Sequence, residues 1–351
     1  MKNIVVRAER SYEVHIGINW VEALSTHLAG RTRAAIIVSK NMRKRIPVLP
    51  SSDCEVHYFE IPDGEAGKST ETLLAVWDWL GAAGFTRSDL IIGVGGGATT
   101  DFAGFAAASW LRGLDWVAIP TSVAGMVDAA IGGKTAINSG YGKNLIGAFH
   151  SPIAVLIDLK WLETLDERDF AAGLAEVVKT GFISDAKILE LMLGKSTHQI
   201  RSDESLIADL IYRSVQVKAN VVTEDFKESF AREALNYGHT LGHAIEKDSK
   251  YALKHGECVA IGMVFVAALQ KNLGSMAVED FQKHLDILKS LGLPVSYSKD
   301  SWPDLLLAMS LDKKSRGKAI RFVTLDGIGK TSRLENPAEA DLSKAYEEVS
   351  S

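Results

Sequence analysis

The chain has 351 residues, of which 46% are hydrophobic and 24% charged, with a formal net charge of −5. This length is enough for two domains with a sizeable core, and the negative charge argues against general nucleic-acid binding. No uncharged run reaches the roughly 18 residues that a membrane helix needs, the N-terminus lacks a signal-peptide core, and Cys54 and Cys258 give no disulfide framework. We therefore predict a cytoplasmic protein with neither nucleic-acid nor membrane partners.

The first half of the chain alternates patterns typical of strands and of helices. The predicted strands span 34–38, 56–61, 90–94, 116–119 and 154–157, and helical patterns such as 72–80 and 102–111 lie between them. This alternation is typical of a parallel sheet wrapped by helices. It predicts an α/β domain over residues 1–165.

Helical periodicity dominates after about residue 165. The predicted helices span 170–180, 206–222, 231–246, 258–273 and 278–291, and one late strand is predicted at 320–325. We therefore predict a second, mainly α-helical domain over residues 166–351.

Three glycine-rich segments punctuate the first half of the chain. The predicted strand 90–94 runs into a glycine triplet at 95–97 and then a helical pattern, an arrangement that brings backbone N–H groups against phosphate. The segment 62–68 offers a carboxylate and an ammonium group for ribose and phosphate. The segment 128–144 places Lys134 and Lys143 in glycine-rich backbone, which predicts an anion-binding cradle.

The run Asn236-Tyr237-Gly238-His239-Thr240-Leu241-Gly242-His243-Ala244 is the most informative feature of the second half. As one helix extended backwards, it places Arg232, Asn236, His239 and His243 on a single face. Such a stripe of a guanidinium, an amide and two imidazoles predicts that a metal and an anionic substrate are held together.

Two other segments supply further candidates for metal ligands. Glu176 and Lys179 stand one helical turn apart among apolar residues, and His255 precedes an uncharged helical run. One Glu with two His is a typical zinc set that leaves a coordination position open for substrate or water. Glu176 with two of His239, His243 and His255 is the predicted set, and spacing alone does not choose the two.

In their order and number these motifs resemble the 3-dehydroquinate synthase family, over residues from about 61 to 329. The blocks that carry the resemblance are Asp63-Gly64-Glu65 with Lys68, Gly95-Gly96-Gly97 with Asp101, Arg112-Gly113, Pro120-Thr121-Ser122, Met126-Val127-Asp128, Gly132-Gly133-Lys134-Thr135, Gly142-Lys143-Asn144, Ala175-Glu176-Val177-Val178-Lys179, the run from Asn236 to His243, His255-Gly256-Glu257 and Asp312-Lys313-Lys314.

The resemblance implies an enzyme of the shikimate pathway that depends on NAD and on Zn²⁺ or Co²⁺. It would convert 3-deoxy-D-arabino-heptulosonate 7-phosphate into 3-dehydroquinate and phosphate, by transient oxidation with NAD, phosphate elimination, reduction and intramolecular aldol closure. The implied fold is a Rossmann-like N-terminal domain followed by a helical C-terminal domain, and the implied assembly is a homodimer.

The resemblance also implies residue roles. The metal ligands would be Glu176, His239 and His255. NAD would meet Asp63, Gly64, Glu65, Lys68, Gly96, Gly97, Ala98, Asp101, Thr121, Ser122, Lys134, Lys143, Trp161, Leu162 and Thr164. The substrate and catalytic groups would be Asp128, Lys134, Asn144, Lys179, Lys218, Arg232, Asn236, His243 and one of Lys313 and Lys314, for which we take Lys314, with Arg112 reaching the phosphate of the neighbouring subunit.

The sequence departs from the family pattern at two positions. Thr100 stands where glycine is frequent, which predicts a slightly reshaped nucleotide loop. Ser39 stands where many relatives have an acid for the adenosine ribose, with Asn41 nearby. The contact to that ribose is therefore in doubt.

Other functions remain open at this stage. An aminodehydroquinate synthase would keep the substrate carboxylate, whereas other sugar phosphate cyclases act on substrates without it, which Arg232 with Asn236 disfavours. A metal-dependent polyol dehydrogenase would produce NADH and needs no cradle of lysines. A non-catalytic zinc-structured binding protein would need a closed four-ligand site, which the two distant cysteines supply poorly.

Overall fold

A computed structural model of the chain describes residues 2–49, 53–226, 231–316 and 320–351, without the side chains of residues 231 and 311–316. The chain divides into two compact units, a first of Met1–Leu165 with Lys218–Lys227 and a second of Asp166–Val217 with Glu228–Ser351. The segment Lys218–Lys227 thus belongs to the first unit, although it lies beyond the predicted domain boundary at residue 165. None of the described helices is long and apolar enough to cross a membrane.

Within the part of the chain that the structure describes, the strands are short and lie mostly in the first unit. They are β1 (Lys2–Arg7), β2 (Ser11–Ile16), β3 (Arg33–Ser39), β4 (Glu55–Ile61), β5 (Leu90–Gly95), β6 (Asp115–Pro120), β7 (Lys134–Ser139), β8 (Gly142–Phe149), β9 (Ala154–Ile157), β10 (Arg321–Leu325) and β11 (Thr331–Glu335).

The longest α-helices lie in the second half of the chain. They are α1 (Trp20–Leu28), α2 (Lys40–Arg43), α3 (Thr70–Ala82), α4 (Gly97–Ser109), α5 (Glu167–Ile183), α6 (Ala186–Met192), α7 (Thr197–Ser202), α8 (Glu204–Glu224), α9 (His239–Asp248), α10 (His255–Asn272), α11 (Val278–Ser290), α12 (Trp302–Arg316) and α13 (Glu339–Glu347).

The first unit is built on a seven-stranded sheet of order β1-β2-β9-β6-β5-β3-β4. All neighbours in it are parallel except β1 and β2. Strand β5 is buried along its whole length, which explains its nearly continuous apolar sequence, because a parallel strand covered on both faces has no polar side. The predicted α/β class, with a parallel sheet followed by a helical half, is confirmed.

Two pairs of strands were missing from the sequence prediction. Strands β1 and β2 form an antiparallel edge pair with alternating exposed and buried residues. Strands β7 and β8 form a separate hairpin in which Lys134 lies opposite Phe149. Glycine, lysine and asparagine are depleted in strands, so the composition of 128–144 does not indicate a hairpin.

The segment 218–227 belongs to the first unit through contacts that are distant in sequence. The Lys218 ammonium donates to the Asp128 carboxylate at 2.5 Å. The hydroxyl of Thr223 accepts from the Arg7 backbone N–H at 3.2 Å. These contacts place the end of α8 with the first unit, although α8 begins in the second.

The second unit is organised around two buried helices. In α10, the stretch from Gly256 to Gln270 is buried, and α5 is buried from Phe170 to Ile183. A helix that is apolar on all sides is typical of the centre of a domain. Both helices are packed against neighbours along these stretches, so they give rigid attachment points for the polar side chains that lie there.

The predicted continuous helix over 231–246 is wrong. Residues Ala231–Asn236 form a 3₁₀ segment, Gly238 has a left-handed φ of 80°, and α9 begins only at His239. A Cβ on Gly238 would lie 2.8 Å from the backbone nitrogen of Met263 on α10. The chain therefore breaks where it passes close to α10, and Arg232 and Asn236 do not continue the helical face of His239 and His243.

Because the two backbones are so close here, we predict that a single methyl group added at Gly262 destabilises the fold strongly. A Cβ on Gly262 would lie 1.9 Å from the carbonyl oxygen of Gly238. We expect Gly262→Ala to lower the free energy of unfolding by about 3 kcal/mol, because backbone rather than a flexible side chain must move. Urea unfolding measures the change. Gly140→Ala is the control, since nothing lies within 4 Å of its Cβ position. Equal stability of the two variants would contradict the close packing.

Candidate active site

Three side chains from three helices converge in the second unit. Glu176 lies in the middle of α5, while His239 and His255 are the first residues of α9 and α10. One potential ligand atom from each lies within 4.8 Å of the others. Oε1 of Glu176 is 3.5 Å from Nε2 of His255 and 3.9 Å from Nε2 of His239. Each helix thus contributes one donor to a common point.

Glu176 is a buried carboxylate whose oxygens accept no hydrogen bond from the described residues. Its side chain is 2% exposed, and its ion-pair partner is the Lys179 ammonium, 2.5 Å away. Burial opposes ionisation of Glu176, but Lys179 and the neighbouring imidazoles outweigh it and lower the pKa well below the usual range. An ionised, buried carboxylate without hydrogen bonds is what a bound cation would satisfy.

The hydrogen bonds of the two imidazoles differ. Nδ1 of His239 lies 3.1 Å from the Tyr237 carbonyl, which can only accept, so Nδ1 carries the proton and Nε2 offers a lone pair. Burial, with Lys179 nearby, lowers the pKa of His239 well below its usual value and keeps this ring neutral. Nδ1 of His255 lies 3.3 Å from Glu246. Burial lowers the pKa of His255, but the carboxylates of Glu176 and Glu246 beside it outweigh that and raise it to about 10.

His243 lies beside this cluster on the exposed side of α9. Its ring is 5.2 Å from that of His239 and 6.0 Å from that of His255, centre to centre. In a second set of donors, His243 with Glu246 and His255, one potential ligand atom from each also lies within 4.8 Å of the others. The geometry therefore brings together all three histidines that the sequence left as alternatives.

The first set fits a divalent metal ion better than the second. Its two imidazole Nε2 atoms and one carboxylate are the donors of catalytic zinc sites, which keep a coordination position open. In the second set, the Glu246 carboxylate is already engaged with Nδ1 of His255. The first set also contains the carboxylate oxygens without hydrogen bonds.

In the first unit, the predicted nucleotide residues follow the carboxyl ends of neighbouring strands. Strands β6, β5, β3 and β4 are adjacent and parallel in that order. At these ends, Thr121 and Ser122 follow β6, the glycine triplet begins with the last residue of β5, Ser39 is the last residue of β3, and Asp63 lies two residues after β4. Ligands of open α/β sheets bind at this edge. The order of the strands thus places residues that are far apart in the sequence at one edge of the sheet.

The start of α4 suits an anionic ligand. Gly96 occupies the N-cap position of α4, and no side chain caps the helix there. A Cβ on Gly97 would lie 2.9 Å from the Cβ of Ala129, so the loop is closely packed against the turn that follows β6. The Thr100 hydroxyl bonds the Gly97 carbonyl inside the helix, at 3.0 Å. The N–H groups of Gly97 and Ala98 therefore lie at the helix N-terminus, where they have no acceptor within the helix and suit an anion.

Lys68 is at the centre of a polar network in the first unit. It is 1% exposed, and its ammonium donates to the Asp101 carboxylate at 2.7 Å and to the Asn144 side-chain oxygen. Burial raises the pKa of Asp101 despite Lys68 beside it. Asn138 donates to Glu65 at 2.7 Å and accepts from the Asn144 N–H at 3.0 Å. The hairpin β7–β8 is thereby joined to the loop after β4.

The remaining predicted residues lie on several elements. Asp128, paired with Lys218, lies in the π-helical turn Gly125–Ala129. Lys134 is exposed at the start of β7, and Lys143 lies in β8. Trp161 and Leu162 are buried in the 3₁₀ segment Leu159–Thr164, where the Thr164 hydroxyl bonds the Trp161 carbonyl. The exposed Gly64 is the first residue of the 3₁₀ turn Gly64–Gly67.

Two predicted arginines have unusual surroundings. Arg232 is a fully buried arginine, 2% exposed, in the 3₁₀ segment before Asn236. Arg112 is exposed and has a left-handed φ of 68°, directly after Leu111 with a φ of 48°. Left-handed non-glycine residues are rare and cluster at functional sites. The side chain of Lys314 lies outside the described residues.

Asn138 and Glu246 have contacts that the sequence did not indicate, and Asn41, noted only for its place near Ser39, also has one. Asn138 lies between Glu65 and Asn144, and Asn41 donates to Asp63 at 2.7 Å. Glu246 contacts His255. For Glu246 a signal existed, because it follows His243 by three residues and so shares its helix face. For Asn41 the only signal was its place near Ser39, and for Asn138 the sequence holds none.

Comparisons with known proteins give the family. One family model, described as 3-dehydroquinate synthase N-terminal, matches residues 58–172, and another, 3-dehydroquinate synthase C-terminal, matches residues 173–315. A 3-dehydroquinate synthase of Mycolicibacterium vanbaalenii is 47% identical over 350 residues, which are 99% of this chain and 98% of the relative. The chain belongs to the 3-dehydroquinate synthase family. Formation of 3-dehydroquinate, a step of the shikimate pathway, is therefore its function.

Solved structures of sugar phosphate cyclases share this fold. ValA, the 2-epi-5-epi-valiolone synthase of Streptomyces hygroscopicus solved with NAD⁺ and Zn²⁺, is 26% identical with a TM-score of 0.88 and coverage of 99% of this chain and 98% of ValA. A 2-deoxy-scyllo-inosose synthase is 23% identical with a TM-score of 0.83 and coverage of 99% of both chains. Membership of the family decides against the polyol dehydrogenase and the binding protein that the sequence had left open.

Proposed function

We propose that this chain is a carbon–oxygen lyase that depends on NAD and a divalent metal. It would eliminate phosphate from 3-deoxy-D-arabino-heptulosonate 7-phosphate and release 3-dehydroquinate. The observation that carries this proposal is the meeting of a buried, ionised Glu176 with the Nε2 atoms of His239 and His255. Family membership supplies the reaction.

Glu176, His239 and His255 would hold Zn²⁺ or Co²⁺. Bound there, the ion would act as a Lewis acid on the substrate hydroxyls and lower an alcohol pKa. Glu176 would bring the negative charge, and the Tyr237 carbonyl would keep Nε2 of His239 available as a ligand. Lys179 would balance the charge of Glu176 within the buried surroundings.

The carboxyl edge of the sheet in the first unit would hold NAD. NAD would take a hydride from the substrate and return it, so that no net redox change results. The N-terminus of α4 would take the pyrophosphate, with Gly96, Gly97 and Ala98. The other contacts would come from Asp63, Gly64, Glu65, Lys68, Asp101, Thr121, Ser122, Lys134, Lys143, Trp161, Leu162 and Thr164.

The Asn41–Asp63 pair would face the adenosine ribose in place of an acid at position 39. The Ser39 hydroxyl caps α2 by accepting from the Met42 N–H, so it is already engaged. Asn41 orients the Asp63 carboxylate at 2.7 Å. Trp161 and Leu162 are buried, and a nucleotide would therefore meet their main chain rather than their rings.

Cationic and amide groups would hold the substrate phosphate and carboxylate. Arg232 would bind the planar carboxylate in a forked contact, and Lys134, Lys179 and Lys218 would supply positive charge for the phosphate. The predicted set is completed by Asp128, Asn144, Asn236, His243 and Lys314. We also propose a homodimer in which Arg112 completes the phosphate site of the partner subunit.

Arg232→Lys tests the carboxylate contact. Lysine keeps the charge but loses the fork, so we expect kcat/KM to fall by about 30-fold, corresponding to about 2 kcal/mol for a charge-assisted hydrogen bond. Arg213→Lys is the control, because Arg213 pairs with Asp185 and Asp209 away from the predicted residues. Wild-type kcat/KM in Arg232→Lys, or equal turnover of a substrate without the carboxylate, would contradict the role.

Phosphate release from the heptulosonate phosphate tests the proposed function. The full chain is freed of metal with a chelator and then assayed with NAD⁺ alone, with Zn²⁺ or Co²⁺ alone, and with both. We expect phosphate release only with both. Full activity of the metal-free chain, or full activity of nucleotide-free chain without added NAD⁺, would overturn the proposal.

A further inference from the structure

The His255 ring lies between two carboxylates on opposite sides. Its Nε2 is 3.5 Å from Glu176, and its Nδ1 is 3.3 Å from Glu246. His255 is the first residue of α10, and its side chain is 40% exposed, so packing encloses it on only part of its surface. The orientation of this ring therefore depends on the groups that face its two nitrogens.

His239 is held in a different way. Its side chain is 10% exposed, and its Nδ1 bonds the backbone carbonyl of Tyr237. Packing and main chain thus fix the tautomer and the direction of Nε2. His255 has no equivalent backbone bond among the described residues, and the Glu246 side chain occupies the corresponding position.

The Glu246 side chain is held beside His255 by its burial and by its position on α9. Its side chain is 9% exposed, and it follows His239 and His243 by seven and three residues, on the same face of α9. Its backbone carbonyl accepts from the Tyr251 N–H at 3.0 Å, which secures the end of the helix. Burying a carboxylate is costly unless it is paired, and His255 provides a pairing partner.

We propose that Glu246 is a positioning residue for the metal ligand His255. Its carboxylate accepts the Nδ1 proton, which fixes the tautomer, turns Nε2 towards Glu176 and His239, and increases the basicity of Nε2. A carboxylate behind a ligating histidine has this effect on metal affinity in general. The inference rests on the proposed function, because it takes Glu176, His239 and His255 as the metal ligands.

The competing possibility is that Glu246 is itself a ligand, together with His243 and His255. Nδ1 of His255 cannot both donate a proton to Glu246 and bind a metal. The two arrangements therefore use opposite nitrogens of the same ring. They predict opposite consequences for replacing Glu176 and Glu246.

The test measures Zn²⁺ affinity of the full chain by competition with a chelator, and the visible absorption of bound Co²⁺ as a report on ligand geometry. Glu246→Ala should weaken Zn²⁺ binding by about 10- to 100-fold and alter the Co²⁺ spectrum, while one metal per chain still binds at saturation. Glu246→Gln should lie between Glu246→Ala and wild type, because its amide oxygen still accepts the Nδ1 proton.

Glu257→Gln is the matched control. Glu257 also lies in the first turn of α10 and has a side chain 10% exposed, but it pairs with Arg168 rather than with His255. Its replacement should change thermal unfolding of the metal-free chain without changing Zn²⁺ affinity. This comparison separates an effect on the ligand from an effect on folding.

Two results would overturn the proposal, and one would overturn its basis. Unchanged Zn²⁺ affinity and Co²⁺ spectrum in Glu246→Ala would leave Glu246 with a structural role only. Complete loss of metal in Glu246→Ala, with metal retained in Glu176→Ala, would make Glu246 a ligand. If wild type binds no metal, the proposed function itself fails.

Discussion

Glu176→Gln is expected to lose the metal and to lower turnover by more than about 100-fold, since even changes behind a ligand reach that size. Glutamine keeps the shape of the side chain but removes the charge that faces His239 and His255. It also leaves the Lys179 ammonium, 3% exposed, without its counter-charge. Removing one partner of a buried pair should destabilise the metal-free chain by about 3 kcal/mol.

The matched control for this substitution is Glu190→Gln. Glu190 pairs with Lys187 at the same spacing of three residues, but both side chains are more than half exposed. Exposed pairs of this kind contribute little, about 0.5 kcal/mol. Metal analysis, turnover and denaturant unfolding are measured for both variants. Full metal content and activity in Glu176→Gln would show that the metal ligands are assigned wrongly.

Arg112→Ala and Lys134→Ala are each expected to be nearly inactive alone and to regain activity when mixed. If Arg112 acts on the partner subunit, a mixed dimer has one site with both lesions and one intact site. Half of the dimers are mixed after random exchange, so about a quarter of wild-type activity should return. The left-handed backbone at Leu111 and Arg112 supports a functional role for this exposed side chain.

Mixing Asp128→Ala with Lys134→Ala is the control for chain exchange. Both residues lie in the first unit and are assigned to the same site, so every site of a mixed dimer carries one lesion and activity should not return. Exchange itself is followed with differently tagged chains. Exchange without recovery in the Arg112 and Lys134 mixture would mean that the two residues act in the same site, and the shared-site proposal would be wrong.

The parallel sheet was predictable because its central strands are buried on both faces. Strands β3 and β5 consist almost entirely of buried apolar residues, and such runs are visible in the sequence. The hairpin β7–β8 was not predictable, because its glycines, lysines and asparagines have low strand propensity and the pairing of the two segments stabilises them. Its polar contacts, such as Asn138 with Glu65, form only after that pairing.

The sequence identified the candidate metal ligands, but it could not give their arrangement in space. Spacing identified the histidines of α9, whereas bringing Glu176 to them requires the packing of α5 and α9 beside α10. The helix break at Gly238 escaped prediction because its cause, the backbone of α10, is distant in sequence. For the same reason the sequence could not assign Arg232 and Asn236 to a segment separate from α9.

The most direct test of the account follows phosphate release and NADH absorbance in one reaction of the full chain with the heptulosonate phosphate, NAD⁺ and Zn²⁺. If hydride is taken and returned in each turnover, phosphate and 3-dehydroquinate should accumulate over many turnovers while NADH stays below the enzyme concentration. NADH that accumulates in proportion to product would contradict the redox-neutral reaction and would make the chain a dehydrogenase.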